Sequence, residues 1–114
     1  MVTYNEATEN LVWKALADNK RRMIVDALAQ RELTTGDIVN LVPEIGRTAV
    51  LKHIDVLHAA DLVRFRRDGR KRWNQLNPQP LKYICAPWLT RHIEGVTRSA
   101  QALKRLAETG ENQT

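Results

Sequence analysis

Apolar residues recur at helical spacing through the first half of the chain. Ala7, Leu11, Val12, Ala15 and Leu16 form one stripe, with Trp13 outside it, and predict a helix from about Glu6 to Ala17. Asn5 is its expected N-cap. Met23, Ile24, Ala27 and Leu28 give a second helix over about Asn19 to Ala29, capped by Asp18. Its first turn carries Lys20, Arg21 and Arg22, where the helix dipole disfavours cations. They serve either a partner or a solvated face. A short third helix follows Thr34, where Thr34-Thr35-Gly36-Asp37 is a loose capping box and Ile38, Leu41 and Val42 are the apolar side. Pro43-Glu44-Ile45-Gly46 breaks the pattern, and a fourth helix spans about Arg47 to Ala60. Two helices joined by so short a break make a helix-turn-helix.

The period then changes. Leu62 to Arg66 and Lys71 to Leu76 read as strands around Asp68-Gly69, a strong hairpin turn. A three-residue loop with Gly69 in a left-handed bulge position would place Val63, Phe65 and Trp73 on one face, and parity favours it. The last segment opens with Pro78 and Pro80. It continues at i, i+3, i+4 spacing through Leu81, Ile84, Cys85, Trp88, Leu89, His92, Val96, Ala100 and Leu103, so a last helix is expected over about 79–108. Pro87 should kink or split it. The polar tail from Thr109 to Thr114 reads as frayed.

The fourth helix has the form of a groove reader. Val50, Ile54 and Leu57 lie at i, i+4, i+7 and anchor it, with Ala49 and His53 at the flanks. Arg47, Thr48, Leu51, Lys52 and Asp55 fall on the other side. Arg and Lys suit guanine O6 and N7, and Thr serves bases or phosphates. Leu51 has two readings, a contact with thymine methyl groups or an isolated surface leucine. His53 also has two, a phosphate contact or a packing histidine. His58, late in the helix, reads as a surface or packing residue.

Charge sharpens the picture because of where it sits. The chain has 114 residues, the size of one domain, and a net charge of +5. Arg64, Arg66, Arg67, Arg70, Lys71 and Arg72, against Asp68 alone, account for all of that excess. A neutral body with one cationic ribbon looks like a device for gripping phosphates rather than a solvated loop tip. A basic ribbon after a recognition helix is the winged-helix arrangement. Arg70, near the tip, is the candidate for the minor groove. The fold class expected is mainly α with a β-hairpin wing: a dimeric winged helix-turn-helix of about five helices, with 1–114 as one DNA-binding domain.

The run from Trp13 to Leu76 resembles the ArsR/SmtB family of winged-helix repressors. The matching residues are Ala15-Leu16-Ala17-Asp18 with Arg21-Arg22 and Ile24, Glu32-Leu33, Val50 to Leu57, Leu62-Val63, and Arg66-Arg67-Asp68-Gly69-Arg70. Lys52-His53-Ile54-Asp55-Val56-Leu57 aligns with the family's reading helix, usually Ser-Arg-His-Leu-Lys-Val-Leu. Leu51 and Lys52 replace its Ser and Arg, which bears on the operator sequence. Asp61 stands where the family has Gly before the first wing strand, and Asp tolerates a left-handed backbone. The metal-sensing branch has Cys-x-Cys just after Glu-Leu. Here those positions are Thr34 and Gly36, so no soft ligand is supplied and no metal or other cofactor is expected. A second family metal site uses acids and histidines of the last helix, but His92 and Glu94 share no helical face. Cys85 and His92 do share one, as core positions or, less simply, as a weak site across a dimer. Cys85 has no resolving partner for a redox role.

The resemblance implies a homodimer built on the first and last helices, and the apolar surface of both agrees. Leu11, Trp13, Trp88, Leu89, His92, Val96 and Leu103 are the expected interface. Such a dimer would read two half-sites of double-stranded DNA roughly 34 to 36 Å apart, as an inverted repeat. The inducer would be a small molecule, a protein, or none. A protein-interaction module and a nonspecific architectural binder are the alternatives. An enzyme is not expected, because no nucleophile with its base, carboxylate pair or phosphate-cradling glycine loop is present. A single cysteine, no secretory pattern in Met1 to Glu6 and no membrane-length apolar run point to the cytoplasm.

Overall fold

The computed structural model describes residues 3–112; the side chains of Val96 and of 109–112 fall outside what it describes. Helix α1 (Glu6–Leu16) begins where Asn5 accepts from the Thr8 N–H at 2.8 Å. Helix α2 (Asn19–Gln30) is capped by Asp18, which accepts from the N–H groups of Lys20 and Arg21. A two-residue strand β1 (Leu33–Thr34) leads into α3 (Thr35–Leu41), where Thr34 and Asp37 close a full capping box. Helix α4 (Gly46–Ala59) has no side-chain cap, and Gly46 turns the chain into it at φ +77°. Strands β2 (Val63–Asp68) and β3 (Lys71–Leu76) follow.

The cations at the start of α2 serve the helix before it. Arg21 donates from Nε to the Ala15 carbonyl at 2.6 Å and from Nη2 to the Lys14 carbonyl at 3.2 Å. Arg22 donates to the Leu16 carbonyl at 2.7 Å. The last carbonyls of a helix lack partners of their own and carry its negative dipole end. Two cations unfavourable for α2 thus complete α1 instead. Lys20 pairs with Glu44 ahead of α4.

A single core joins these elements. Val12 and Ala15 of α1, Ile24 and Leu28 of α2, Ile38 of α3, and Val50, Ile54 and Leu57 of α4 are buried together with Leu62 and Val63. Helix α4 ends in a Schellman turn: Leu62 N–H bonds the Leu57 carbonyl, and Asp61 N–H the His58 carbonyl. Asp61 occupies the left-handed position at φ +60°, where the family has Gly. Buried Asn77 clamps that turn, donating to the Asp61 carbonyl at 2.8 Å and its carboxylate at 3.1 Å.

The sheet is antiparallel in the order β1-β3-β2. Its register corrects the expected hairpin. Asp68 pairs with Lys71, so the loop is the two residues Gly69-Arg70 and not three. Gly69 has φ +61° and Arg70 has no positive φ, the pattern of a II′ turn with Gly at its first central position. Phe65 then faces Asn74, and Trp73 lies on the opposite face with Arg66. The core-side position that Trp73 was expected to fill belongs to Asn74, fully buried, with Nδ2 bonded to the Leu33 carbonyl and Thr35 Oγ1. Those bonds tie the wing to β1 and α3.

After β3 the chain makes a π-helical turn over Leu81–Cys85 and runs directly into α5 (Ala86–Asn112). The Ala86 N–H reaches back to the Leu81 carbonyl, five residues earlier. The wide turn lets the helix pass Pro87, which has no N–H to give. The helix continues through Asn112, so residues 109–112 of the expected frayed tail are helical; residues 113 and 114 lie outside the described residues. At ~1.5 Å per residue, α5 is about 40 Å long. The chain measures 74 × 36 × 22 Å and its radius of gyration is 20.0 Å, against about 13 Å for a compact domain of this size. The helix projects from the core.

Two outcomes test this packing. Asn77→Ala removes the clamp on the Asp61 turn and is expected to cost about 1–3 kcal/mol in urea unfolding; an unchanged midpoint would contradict it. The Arg21 and Lys20 backbone N–H groups, Arg21 first, hold the Asp18 carboxyl below its ordinary range. The stability from a depressed carboxyl is present above the unfolded value, about 4, and is lost as pH falls through the lower folded value. Asp18→Asn keeps an N-cap acceptor but cannot titrate, so its urea midpoint should fall less than the wild type's between about pH 5 and pH 2.5. Parallel curves would contradict the assignment.

Candidate nucleic-acid interface

Burial of Val50, Ile54 and Leu57 decides which side of α4 faces outward. Arg47, Thr48, Lys52 and Asp55 are exposed on it. Leu51 is half-buried and is not an isolated surface leucine. It helps line a cleft of about 420 Å³ between the start of α4 and the wing. Thr34, Thr35 and Gly36 form one edge, and Arg47, Arg67, Arg70, Lys71 and Arg72 supply the charge. Five cations converge there with no carboxylate among the lining residues.

The six wing cations fall into two groups, those that line the cleft and those held by carboxylates. Arg67 and Arg72 are directly opposed and share a face. Arg72 lies over the Phe65 ring at 3.9 Å, a cation–π contact that fixes its stem. His58 also packs on Phe65, with ring centroids 5.1 Å apart, while its Nδ1 meets the Val63 carbonyl at 2.9 Å. Arg66 and Arg64 are tied back to carboxylates. Arg66 Nη2 donates to Glu32 at 2.7 Å, and Arg64 lies 3.6 Å from Asp61. Glu32 also accepts from Gln75 at 2.6 Å; the Gln75 bond first, then Arg66, holds its carboxyl below the usual range. Sequence reasoning counted all six cations equally. It missed Glu32 because the pairing crosses from the start of β1 to the hairpin.

His53 is half-buried between α4 and α2, with Nδ1 3.1 Å from Arg21 Nη1. This favours the packing reading over the phosphate reading.

A second surface lies away from the cleft. Leu11, Trp13, Trp88, Leu89, His92 and Leu103 are all exposed. The Trp13 and Trp88 rings meet edge-on at 5.2 Å, and Trp88 packs on His92 at 4.4 Å. Val96, expected with them, has its side chain outside the described residues. Ile93 (61% exposed) and Leu106 (69%) extend the apolar surface and were missed; they follow Leu89 and Leu103 at helical spacing, which is the signal that could have found them. Cys85 is buried in the core and burial pushes its thiol up, whereas His92 is exposed, so the two do not share an environment. Among the described residues no group of three His, Cys, Asp or Glu side chains is placed to hold a metal ion.

Three core helices, a reading helix with an outward polar face and a cationic hairpin beside it define a winged helix-turn-helix protein. Residues 18–64 match the profile of the bacterial regulatory protein family arsR. The chain is 37% identical over 87 residues to the HTH-type transcriptional regulator YuzN of Bacillus subtilis, an alignment covering 71% of this chain and 95% of that protein. It is 32% identical over 73 residues to the transcriptional repressor SdpR of the same organism, covering 64% and 80%. Among solved structures it resembles the ArsR family transcriptional regulator RHA00566, with a TM-score of 0.70, 25% identity, and 82% and 94% of the two chains covered. The chain belongs to the ArsR family of winged helix-turn-helix transcriptional regulators.

Proposed function

We propose that residues 1–114 act as one unit: a homodimeric, sequence-specific DNA-binding repressor of the cytoplasm, with no catalytic role. The observation that carries this reading is the cleft in which Arg47 of the reading helix and Arg67, Arg70, Lys71 and Arg72 of the wing face one another. The exposed Arg47, Thr48 and Lys52 supply base and phosphate contacts, and Leu51 beside them offers apolar contact to thymine methyl groups. Arg67, Lys71 and Arg72 hold the adjacent backbone, and Arg70 at the turn enters the minor groove. Arg64 and Arg66, already paired, contribute less. His53 belongs to the seam between α2 and α4.

The projecting α5 supports the dimer. Its apolar face with Trp13 of α1 is not covered among the described residues, and two copies related by a twofold axis would cover it reciprocally. Two reading helices would then meet successive major grooves of an inverted repeat. Repression follows by occupying a promoter, and release requires a signal that shifts the spacing of the two helices. That the relative SdpR is named a repressor supports this direction. Among the described residues no helix is long and apolar enough to cross a membrane.

The test is fluorescence anisotropy on a duplex enriched by the protein from a randomised library, and on its scrambled version, across a salt series. The enriched duplex should bind at least tenfold tighter, as a complex containing two chains by light scattering. Arg47→Ala should flatten that preference, and Lys71→Ala should lower the salt slope by about one. Equal binding to both duplexes would indicate an architectural binder; no binding at low salt would indicate a protein partner. Either would overturn the proposal. Glu32→Gln supplies a separate check. Releasing Arg66 should steepen the salt dependence and strengthen binding to the scrambled duplex. An unchanged slope would show that Arg66 contributes the same whether paired or free.

A further inference from the structure

One polar contact joins α2 to the reading helix, and the proposed function makes no use of it. Arg21 of α2 reaches two other helices. Its Nε and Nη2 hold the Ala15 and Lys14 carbonyls at the end of α1, and its Nη1 lies 3.1 Å from His53 Nδ1 on α4. The guanidinium is half-buried, with 15% of its side chain exposed, and carries Asp18 at 4.0 Å on its flank.

The chemistry of that contact specifies a protonation state. A guanidinium has donors only. The Nδ1 of His53 must therefore accept, which places the ring proton of a neutral imidazole on Nε2. A charged imidazole has no acceptor and repels Arg21. Among the described residues, the charged groups seen to interact with His53 are Arg21 of α2 and Asp18 of its N-cap. Asp18, already engaged by two backbone N–H groups, would attract a charged ring and draw it off Arg21. Both effects act in the same direction, against the Arg21–His53 link.

The same arginine begins one residue from the proposed dimer surface. Lys14, whose carbonyl it holds, follows Trp13, and the Trp13 ring packs on Trp88 of α5. A continuous contact path thus runs from α5 through Trp13, the end of α1 and Arg21 to His53 in the middle of the reading helix.

We propose that Arg21 and neutral His53 are a positioning pair that fixes α4 relative to α1, so that sequence-specific DNA binding requires an uncharged His53. This rests on the reading of α4 as the recognition helix. The pair touches no base. It sets the pose in which Arg47, Thr48 and Lys52 meet the groove, while the wing grips phosphates without it. Imidazole ordinarily changes charge between about pH 5 and 8. Acidification should therefore remove the preference for sequence and leave nonspecific binding.

The experiment measures affinity for the enriched duplex and its scrambled version at about pH 8 and about pH 5.5. The wild type, His53→Asn and Arg21→Ala are compared, with the fold of each checked by circular dichroism. Asn offers an acceptor near the Nδ1 position and does not titrate. The wild type is expected to lose about tenfold of its preference on acidification, the scale of one hydrogen bond to a charged group. His53→Asn should show the same preference at both pH values. Arg21→Ala should show a reduced preference at both. If Arg21→Ala does not fold, the comparison of wild type with His53→Asn decides alone. A wild type that binds more tightly in acid than His53→Asn does would make His53 a phosphate contact and overturn the proposal. So would identical pH responses in the two proteins. A wild type with no preference at pH 8 would instead contradict the recognition-helix reading itself.

Discussion

The structure depends on how α4 is seated. Val50, Ile54 and Leu57 are buried on one side of the helix, essentially without exposure, and at about 1.5–3 kcal/mol each they fix its rotation. Turning the helix to hide Arg47 or Lys52 would expose that side and bury charge. A polar face beside the wing is thus forced by packing, and its chemistry is the variable part. Gly46 at the entry and Asp61 at the exit, both with positive φ, set where the helix begins and stops. The Arg21 contact to His53 adds a polar tie on one flank.

The wing is placed by a second constraint, its register. The II′ turn at Gly69-Arg70 opposes Arg67 to Arg72, and buried Asn74 pins β3 to β1. Charge on the hairpin is then divided. Glu32 and Asp61 draw Arg66 and Arg64 back to the body, leaving the cleft side with Arg67, Arg70, Lys71 and Arg72. Distribution rather than number gives the surface its direction. Helix α5 poses the opposite problem: some 40 Å of amphipathic helix with little of the chain against it. Its exposed apolar residues continue from the pair Trp13–Trp88.

Much of this was legible in the sequence because it is local. The caps at Asn5, Asp18 and Thr34 depend on residues within one turn, and the apolar stripe of α4 on a period of 3.6. The left-handed Asp61 stands where the resemblance puts a Gly before the first wing strand, a position Asp tolerates. What escaped involves distant partners or short elements. Strand β1 has two residues and no period to read. The hairpin was misread because an aromatic, Trp73, was preferred for the core face over Asn74, whose burial is justified only by acceptors on Leu33 and Thr35, far back in the chain. Arg21 and Arg22 looked misplaced when judged against their own helix; their partners are the carbonyls of the previous one. For the wing, the sequence names six cations but does not show that Arg64 and Arg66 pair with Asp61 and Glu32.

The central claim is that α4 and the cleft side of the wing form the DNA-contacting surface. It is tested most directly by amide chemical-shift mapping of the isotopically labelled protein titrated with the enriched duplex. The account predicts the largest shifts at residues 47–52 and 67–72, with the exposed faces of α2 and α5 little changed. Shifts centred on α5 or α2, with residues 47–52 unmoved, would contradict it.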